Sequence, residues 1–268
     1  MSGIIDTHCH LNFTQFDEDR AEMMMRAFQV GVTHLIVPGV TAASWAQQRD
    51  YGRRYAHWFN AFGLHPYFIE QHQLTHVALL ANELKQGGAV AVGEIGLDAT
   101  CADMDKQRQL LQAQLELAVE FELPVILHHR KTLDTMLKMV REVGVSKGVV
   151  HAFSGSQQQA EAWVEAGFKL GVGGVITYPR AKKTRAAVAA MPLDSLVLET
   201  DSPDMPTQGK QGERNEPAYI TRVFDALCAL RCGSIDRSSS GSGGNSGNET
   251  PAQIRAELHR TSRALFGL

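Results

Sequence analysis

Six residues of types that bind divalent cations recur in one setting along this chain, directly after short apolar runs. His8 and His10 follow G-I-I-D-T, Glu94 ends A-V-A-V-G-E, His128 ends P-V-I-L-H, His151 ends G-V-V-H, and Asp201 ends S-L-V-L-E-T-D. Two histidines one residue apart on an extended segment present both imidazoles to one face, so both can meet one object. Taken alone, an H-x-H is a short match that recurs by chance and reads as two polar residues at a strand end. Glu94 or Asp201 alone reads as a helix cap, and His151 alone as a hydrogen-bonded core histidine. Their joint recurrence points to metal chemistry. Four imidazoles and two carboxylates exceed the roughly three protein ligands of a single catalytic ion. The set therefore predicts two divalent ions per chain: His8, His10 and Asp201 around one, His128 and His151 on the other, and Glu94 bridging both. Imidazole-rich coordination favours Zn²⁺ or Mn²⁺ and leaves Mg²⁺ open. Two ions about 3.5–4 Å apart activate a water and clamp the attacking and leaving oxygens of a displacement. The chemistry expected is hydrolysis, with Asp201 also accepting the proton of the attacking water and Glu94 indispensable to the ion pair.

Such residues need a scaffold that brings strand ends together. Short β-branched runs alternate with amphipathic helical patterns throughout, from GIIDTH followed by DEDRAEMMMRAFQVG to SLVLETDSP followed by EPAYITRVFDALCAL. Near-continuous apolar strands, each followed by a helix, are what a parallel sheet covered on its faces requires. The alternation gives about eight β-then-α units, the number that closes a (β/α)₈ barrel, whose functional residues collect at the C-terminal ends of the strands. A doubly wound open sheet is the alternative, but the glycine-rich fingerprint expected after its first strand is missing. The whole chain, 1–268, reads as one barrel domain. A Gly/Ser-rich excursion at 232–250 interrupts it before a closing amphipathic helix, PAQIRAELHRTSRALFGL.

The totals fit this scaffold. Hydrophobic residues make up 44% of the 268, enough for a large core. A net charge of −3 lacks the broad basic footprint of a protein that grips duplex nucleic acid, so any such contact must be local. The cysteines Cys9, Cys101, Cys228 and Cys232 form no C-x-x-C pair and read as reduced thiols. Without a signal-like start or a long apolar run, the expectation is a cytoplasmic protein with no membrane association; the sequence leaves the oligomeric state open and is compatible with a monomer.

Several further residues near the expected rim are candidates for substrate contact. Arg130 lies two residues past His128 and could clamp a phosphate or simply form an ion pair. Y-P-R-A-K-K-T-R follows strand seven, where barrels frequently bind phosphate, and offers Arg180, Lys182, Lys183 and Arg185. Arg214 and Asn215 are similar candidates, with Glu216 orienting them. His65, in G-L-H-P after strand three, could donate to a phosphate oxygen or be structural ahead of Pro66. His34, His57, His72, His76, His129 and His259 are expected away from the rim, and Met23, Met24 and Met25 are expected to face the core with one exposed neighbour.

The chain also resembles a known family. The blocks DTHCH (6–10), GLHP (63–66), VGEIGLD (92–98), PVILHHR (124–130), HAFSGS (151–156), GVGGVITYPRAKKTR (171–185), LETDSPDMP (199–206) and RNEP (214–217) stand in the order of the TatD family of metal-dependent deoxyribonucleases. That family lies within the amidohydrolase-like barrels, and the resemblance is strongest to its YjjV branch. It implies the same two-metal ligand set, a substrate role for His65, and hydrolysis of phosphodiester bonds in DNA; the weak net charge and the local basic cluster point to ends or single strands over long duplex tracts. Many barrel relatives bridge their metals with a modified lysine on strand four, whereas Glu94 stands there in this chain. The family's usual short connection before the last helix is replaced by the 232–250 excursion, and Ala99 and Thr100 follow GLD where acidic and aromatic residues are common. The alternative is a barrel hydrolase of small phosphoesters, amides or lactones, and a further one is a barrel that binds metal without turnover.

Overall fold

The computed structural model describes residues 2–232 and 249–268; most of the predicted excursion at 232–250 lies outside the described residues. Eight strands, β1 (Ile4–Asp6), β2 (Val32–Pro38), β3 (Trp58–Phe62), β4 (Ala89–Asp98), β5 (Val125–Arg130), β6 (Gly148–Val150), β7 (Phe168–Val172) and β8 (Leu196–Leu198), pair in chain order and all in parallel. The ends of the ring meet where the Thr7 amide donates to Leu198 O at 2.9 Å and the Asp201 amide to His8 O at 2.9 Å. The alternation in the sequence thus yields the expected (β/α)₈ barrel. Its outer helices are α1 (Arg20–Gln29), α2 (Trp45–Arg54), α3 (His76–Lys85), α4 (Met104–Glu120), α5 (Leu133–Val143), α6 (Gln157–Glu165), α7 (Lys182–Ala190) and α8 (Ile220–Arg231), with α9 (Pro251–Phe266) as the closing helix.

Two apolar layers follow from the period-two alternation of the strands. One residue from each of seven strands, Ile5, Ile36, Ala61, Ala91, Ile126, Val149 and Val197, fills the barrel interior, and Leu265 and Phe266 of α9 plug it from below. Residues of opposite parity, such as Leu35, Val125, Leu127 and Leu170, pack outward against the helices. In α5 the buried face is Leu133, Met136, Leu137 and Val140, the i, i+3, i+4, i+7 stripe of a helix lying on a sheet. Ser156 and Gln159 close a capping box at the start of α6, as do Thr250 and Gln253 at the start of α9. Met23 and Met24 are buried while Met25 is 55% exposed, as expected for α1.

Parity also aims the chemistry. Inward Ile126, Val149 and Val197 put His128, His151 and Glu199, two residues on, at the upper mouth of the barrel. Strand β4 departs from simple alternation. Val92 pairs with Val125 and Ile95 with Leu127, so β4 spends three residues where β5 spends two. A one-residue bulge of this kind inverts the parity that follows it. Inward Ala91 alone would send Glu94 outward to the helices; the bulge turns Glu94, Gly96 and Asp98 into the barrel, while Ile95 and Leu97 join the outer core. Gly96 has φ 154°, and a β-carbon there would overlap the carbonyl oxygen of His128, so only glycine lets β5 approach this closely. Strand β1 stops at Asp6, so His8 and His10 stand in the segment after it rather than on an extended strand. The Cys9 amide donates to Ile36 O at 3.1 Å and the His10 amide to Ser202 O at 2.7 Å, which suspends this segment between its neighbours.

Candidate metal centre

Glu94 is the buried hub of the mouth, at 1% exposure, and its two carboxylate oxygens face different partners. Oε2 lies 3.1 Å from His8 Nε2 and 3.3 Å from His10 Nε2. Oε1 lies 3.1 Å from His65 Nε2, 3.3 Å from His128 Nδ1 and 4.0 Å from His151 Nε2. Asp201 closes the ring: Oδ1 is 3.5 Å from both His8 Nε2 and His10 Nε2, and Oδ2 is 3.7 Å from His151 Nε2. The six residues expected as ligands therefore converge on one spot. Among the described residues, candidate ligand atoms lie within 4.8 Å of one another in three sets: His8, His10 and Asp201; His65, Glu94 and His128; and His8, His151 and Glu199. The first matches the expected grouping. In the second, His65 takes the place expected for His151, whose ring instead stacks on His8 with centroids 3.6 Å apart.

These donors fit a divalent cation better than they fit one another. His8 Nε2 and His10 Nε2 lie 3.1 Å apart and each also faces Glu94 Oε2 and Asp201 Oδ1, more partners than the single proton of either nitrogen can serve. Glu94 Oε2 is buried and has no hydrogen-bond partner in good geometry. Nitrogen and carboxylate oxygen are the donor types of Zn²⁺, Mn²⁺ and related ions. Burial pushes the Glu94 carboxyl upward, but facing His65 and His8 outweighs it and holds the group well below its usual range. Burial, with His151 alongside, drives His8 down, and burial takes His65 to about 4. Burial also lifts Asp201 to about 6. A buried carboxylate held ionised among nitrogen donors suits a divalent cation, whose binding would displace the protons that His10, His128 and His151 hold more tightly than free imidazole does.

Three carboxylates beside the ligand set escaped the sequence reading. Asp98 Oδ2 lies 3.1 Å from His128 Nε2, which leaves Nδ1 for the centre. Asp98 Oδ1 is itself held by the Thr100 amide and hydroxyl at 2.8 and 2.6 Å, so the residue that departs from the family pattern has a bracing task. Glu199 Oε1 lies 3.0 Å from His151 Nδ1 and accepts from the Ala152 amide at 2.7 Å. Gly171 makes room for it, because a β-carbon there would overlap the Glu199 carboxylate. Burial disfavours protonated His151, yet Glu199 and Asp201 together raise it to about 10. Asp6 accepts from the amide and hydroxyl of Thr200 at 3.0 and 2.7 Å, tying β1 to the loop that carries Asp201. The signal lay in the same motifs: the first residue of D-T-H, the last of G-L-D and the glutamate of L-E-T-D are each strand-end carboxylates.

Orienting carboxylates behind ligating imidazoles fix ring orientation and raise basicity, and their loss typically costs about 10–100-fold in metal affinity. Glu199→Gln keeps an oxygen for the Ala152 amide but removes the charge behind His151. Zinc binding to the stripped protein should weaken about 10–100-fold, read by competition with a chromophoric chelator. Unchanged affinity would mean that stacking on His8 alone orients the ring.

The centre opens into a cavity of about 560 Å³ bordered by Phe13, Tyr67, Phe68, Arg130 and Met205 as well as His10, His65, Glu94, His128, His151 and Asp201. Arg130 lines this cavity and has no ion-pair partner among the described residues, which disfavours the loop-tethering alternative. His129, expected to face only the helices, also borders it. His72 is buried and contributes indirectly, with Nε2 2.9 Å from His65 O. Arg180 lies outside the main cavity in an adjoining groove, and Lys182 lies at the start of α7, outside both. Arg185 is consumed by the Ile176 carbonyl. Arg214 does not reach the cavity: its guanidinium donates to Asp19 at 2.7 Å and to Gln15 O at 2.6 Å, tethering the loop after β8 to the start of α1. Asn215 is buried and donates to Thr200 O and Asp204 O at 2.9 and 2.8 Å, bracing the loop from within. Glu216 does not orient these two side chains; it pairs with Arg26 at 2.6 Å. Charge type alone could not tell a free arginine from one already engaged.

The four cysteines are free, and no helix among the described residues is long and apolar enough to cross a membrane. The family model described as "TatD related DNase" matches residues 5–242. The chain is 47% identical over 232 residues to the uncharacterized metal-dependent hydrolase YjjV of Escherichia coli K12, covering 85% of this chain and 90% of that protein. A crystal structure of that TatD homologue superposes with a TM-score of 0.90 at 42% identity, covering 99% of this chain and 98% of the other. A Salmonella typhimurium protein named 3′-5′ ssDNA/RNA exonuclease TatD is 29% identical over 238 residues, covering 85% of this chain and 91% of its own length.

Proposed function

Because the chain belongs to the family of TatD-related DNases and is a metal-dependent hydrolase, we propose that it cleaves phosphodiester bonds of DNA at ends or in single strands. The observation that carries this reading is the split Glu94 carboxylate, one oxygen toward His8 and His10 and the other toward His65, His128 and His151. Two divalent ions would be held by His8, His10 and Asp201 on one side of Glu94 and by His128 with His65 or His151 on the other. When bound, the ions supply an acidified water and neutralise charge developing on the phosphoryl oxygens.

The protein's own groups then divide the work. Asp98 is hydrogen-bonded to the outer nitrogen of His128 and Glu199 stands 3.0 Å from that of His151, so the inner nitrogens stay available. Asp201, 15% exposed at its side chain where Glu94 is 2%, is the ring carboxylate nearest open cavity and accepts the proton of the attacking water. Arg130, at the mouth without a carboxylate partner, binds a non-bridging phosphate oxygen. His65, directed at Glu94 Oε1, serves the centre first and reaches substrate only from beside it. Phe13, Tyr67 and Phe68 offer aromatic faces on which unpaired bases stack. The single-stranded DNA and RNA exonuclease activity for which the Salmonella relative is named supports the same reading.

The test is a time course on 5′-labelled single-stranded DNA with metal-stripped protein reloaded separately with Mg²⁺, Mn²⁺ or Zn²⁺. Laddering that requires the added ion is the expected result. Turnover of small esters, amides or lactones without any shortening of DNA would transfer the site to that other substrate class.

A further inference from the structure

Beside the main cavity lies a second, smaller groove of about 260 Å³ bordered by Val175, Tyr178, Arg180, Ala181, Met205 and Pro206. Met205 borders both spaces, so the two adjoin across a single ridge. From this juxtaposition we infer that the groove is a second phosphate subsite, in which Arg180 holds a phosphodiester of the strand outside the bond being cut. The inference rests on the nuclease reading and extends it to a substrate longer than one nucleotide.

The groove is built rigidly from two loops. The Tyr178 hydroxyl donates to Pro206 O at 2.8 Å, and the Gln208 amide donates to Thr177 Oγ1 at 2.8 Å. A β-carbon on Gly174 would press on Met205 O, so the loop after β7 and the loop after β8 are in close contact. Met205 takes φ 50°, a left-handed conformation unfavourable for a methionine, and Asn215 grips the carbonyls of Asp204 and Met205 from beneath. Strained non-glycine residues that the surroundings hold in place gather at ligand-contacting sites. Here the strain falls on the ridge between the two spaces.

The charge is arranged to match. Arg180 lies over the Tyr178 ring, its guanidinium carbon 5.1 Å from the centroid, which orients the group without neutralising it. Arg180, Lys182 and Lys183 have no carboxylate partner among the described residues, although the chain carries more acidic than basic residues. Arg185, by contrast, is spent on a backbone carbonyl. Arg180 is exposed and rests beside an aromatic ring with its donors free, so it presents to solvent the fork that binds a phosphodiester. The position after β7 is also where barrels frequently place phosphate. A strand whose scissile phosphate meets the metal centre would cross the Met205 ridge and set a neighbouring phosphate on Arg180.

The test compares full-length, metal-loaded wild type with Arg180→Ala and Arg180→Lys on two substrates. Bis(p-nitrophenyl) phosphate carries one phosphodiester and cannot reach the groove; a single-stranded 12-mer can. Arg180→Ala should raise KM for the 12-mer about 10-fold with little change in kcat, leave the small ester within about twofold, and regain part of the affinity in Arg180→Lys. An unchanged KM for the 12-mer, or equal losses on both substrates, overturns the subsite. If the wild type cleaves neither substrate with any ion, the nuclease reading fails by itself. Fluorescence anisotropy with labelled 12-mer then decides the groove: weaker binding by Arg180→Ala, with a shallower salt dependence, upholds it, and equal or absent binding overturns it.

Discussion

Glu94→Ala should abolish metal-dependent hydrolysis, lowering kcat/KM on single-stranded DNA by about 10³-fold or more and removing most of the bound metal. Glu94 faces all five imidazoles of the centre, so its loss leaves His8, His10, His65, His128 and His151 crowded together with Asp201, Asp98 and Glu199 at their margins and no anion in their midst. Removing a single donor to a developing oxyanion costs about 10²–10³ in turnover, and here the bridge between two halves of the site goes as well. The truncation leaves the barrel layer of Ile5, Ile36, Ala61 and their neighbours untouched. Circular dichroism should therefore report a folded chain, while metal analysis reports far less than the two ions expected per wild-type chain. Full metal content with lost activity would confine Glu94 to the chemistry; retained activity would remove it from the site.

Asp201→Asn should separate metal holding from proton transfer. The amide keeps the shape and one oxygen toward His8 and His10 but loses the charge and the capacity to take a proton at neutral pH. Positioned acid–base groups contribute about 10²–10⁴-fold, so kcat should fall within that range while metal content stays near that of the wild type. Such a split between occupancy and turnover is what a mere ligand would not produce. Full activity at full metal content would leave the proton acceptor to another group, and parallel loss of both would reduce Asp201 to a ligand.

The barrel, and the gathering of its strand ends at one rim, could be read from the sequence because apolar strands of regular spacing place whatever follows them there. What periodicity does not carry is the local departure from it. The bulge in β4 reverses the direction of Glu94, and the end of β1 at Asp6 means that His8 and His10 reach the centre through loop geometry rather than alternation. Asp98 and Glu199 were hidden for a related reason. Each shares a motif with a ligand, and only the parity of the folded strand shows that it stands behind an imidazole. Arg214 and Arg130 illustrate the limit from the other side: the same residue type at the same rim is consumed by Asp19 in one case and left free in the other.

The seam of the barrel also sets an order of events during folding. His8 and Asp201 lie 193 positions apart, yet the Asp201 amide donates to the carbonyl of His8 itself, and the His10 amide donates to Ser202 O. Nascent chain that has folded only its first strands owns two imidazoles and nothing to pair them with across the gap. Contacts this distant in sequence form only after a large entropic closure, which makes them late. The grouping of His8, His10 and Asp201 is thus completed by the step that turns an open sheet into a ring, whereas His65, Glu94 and His128 gather at the ends of the neighbouring strands β3, β4 and β5 without it. A cation that binds His8, His10 and Asp201 acts as a latch on that step, stabilising the closed barrel by mass action and leaving open forms unaffected.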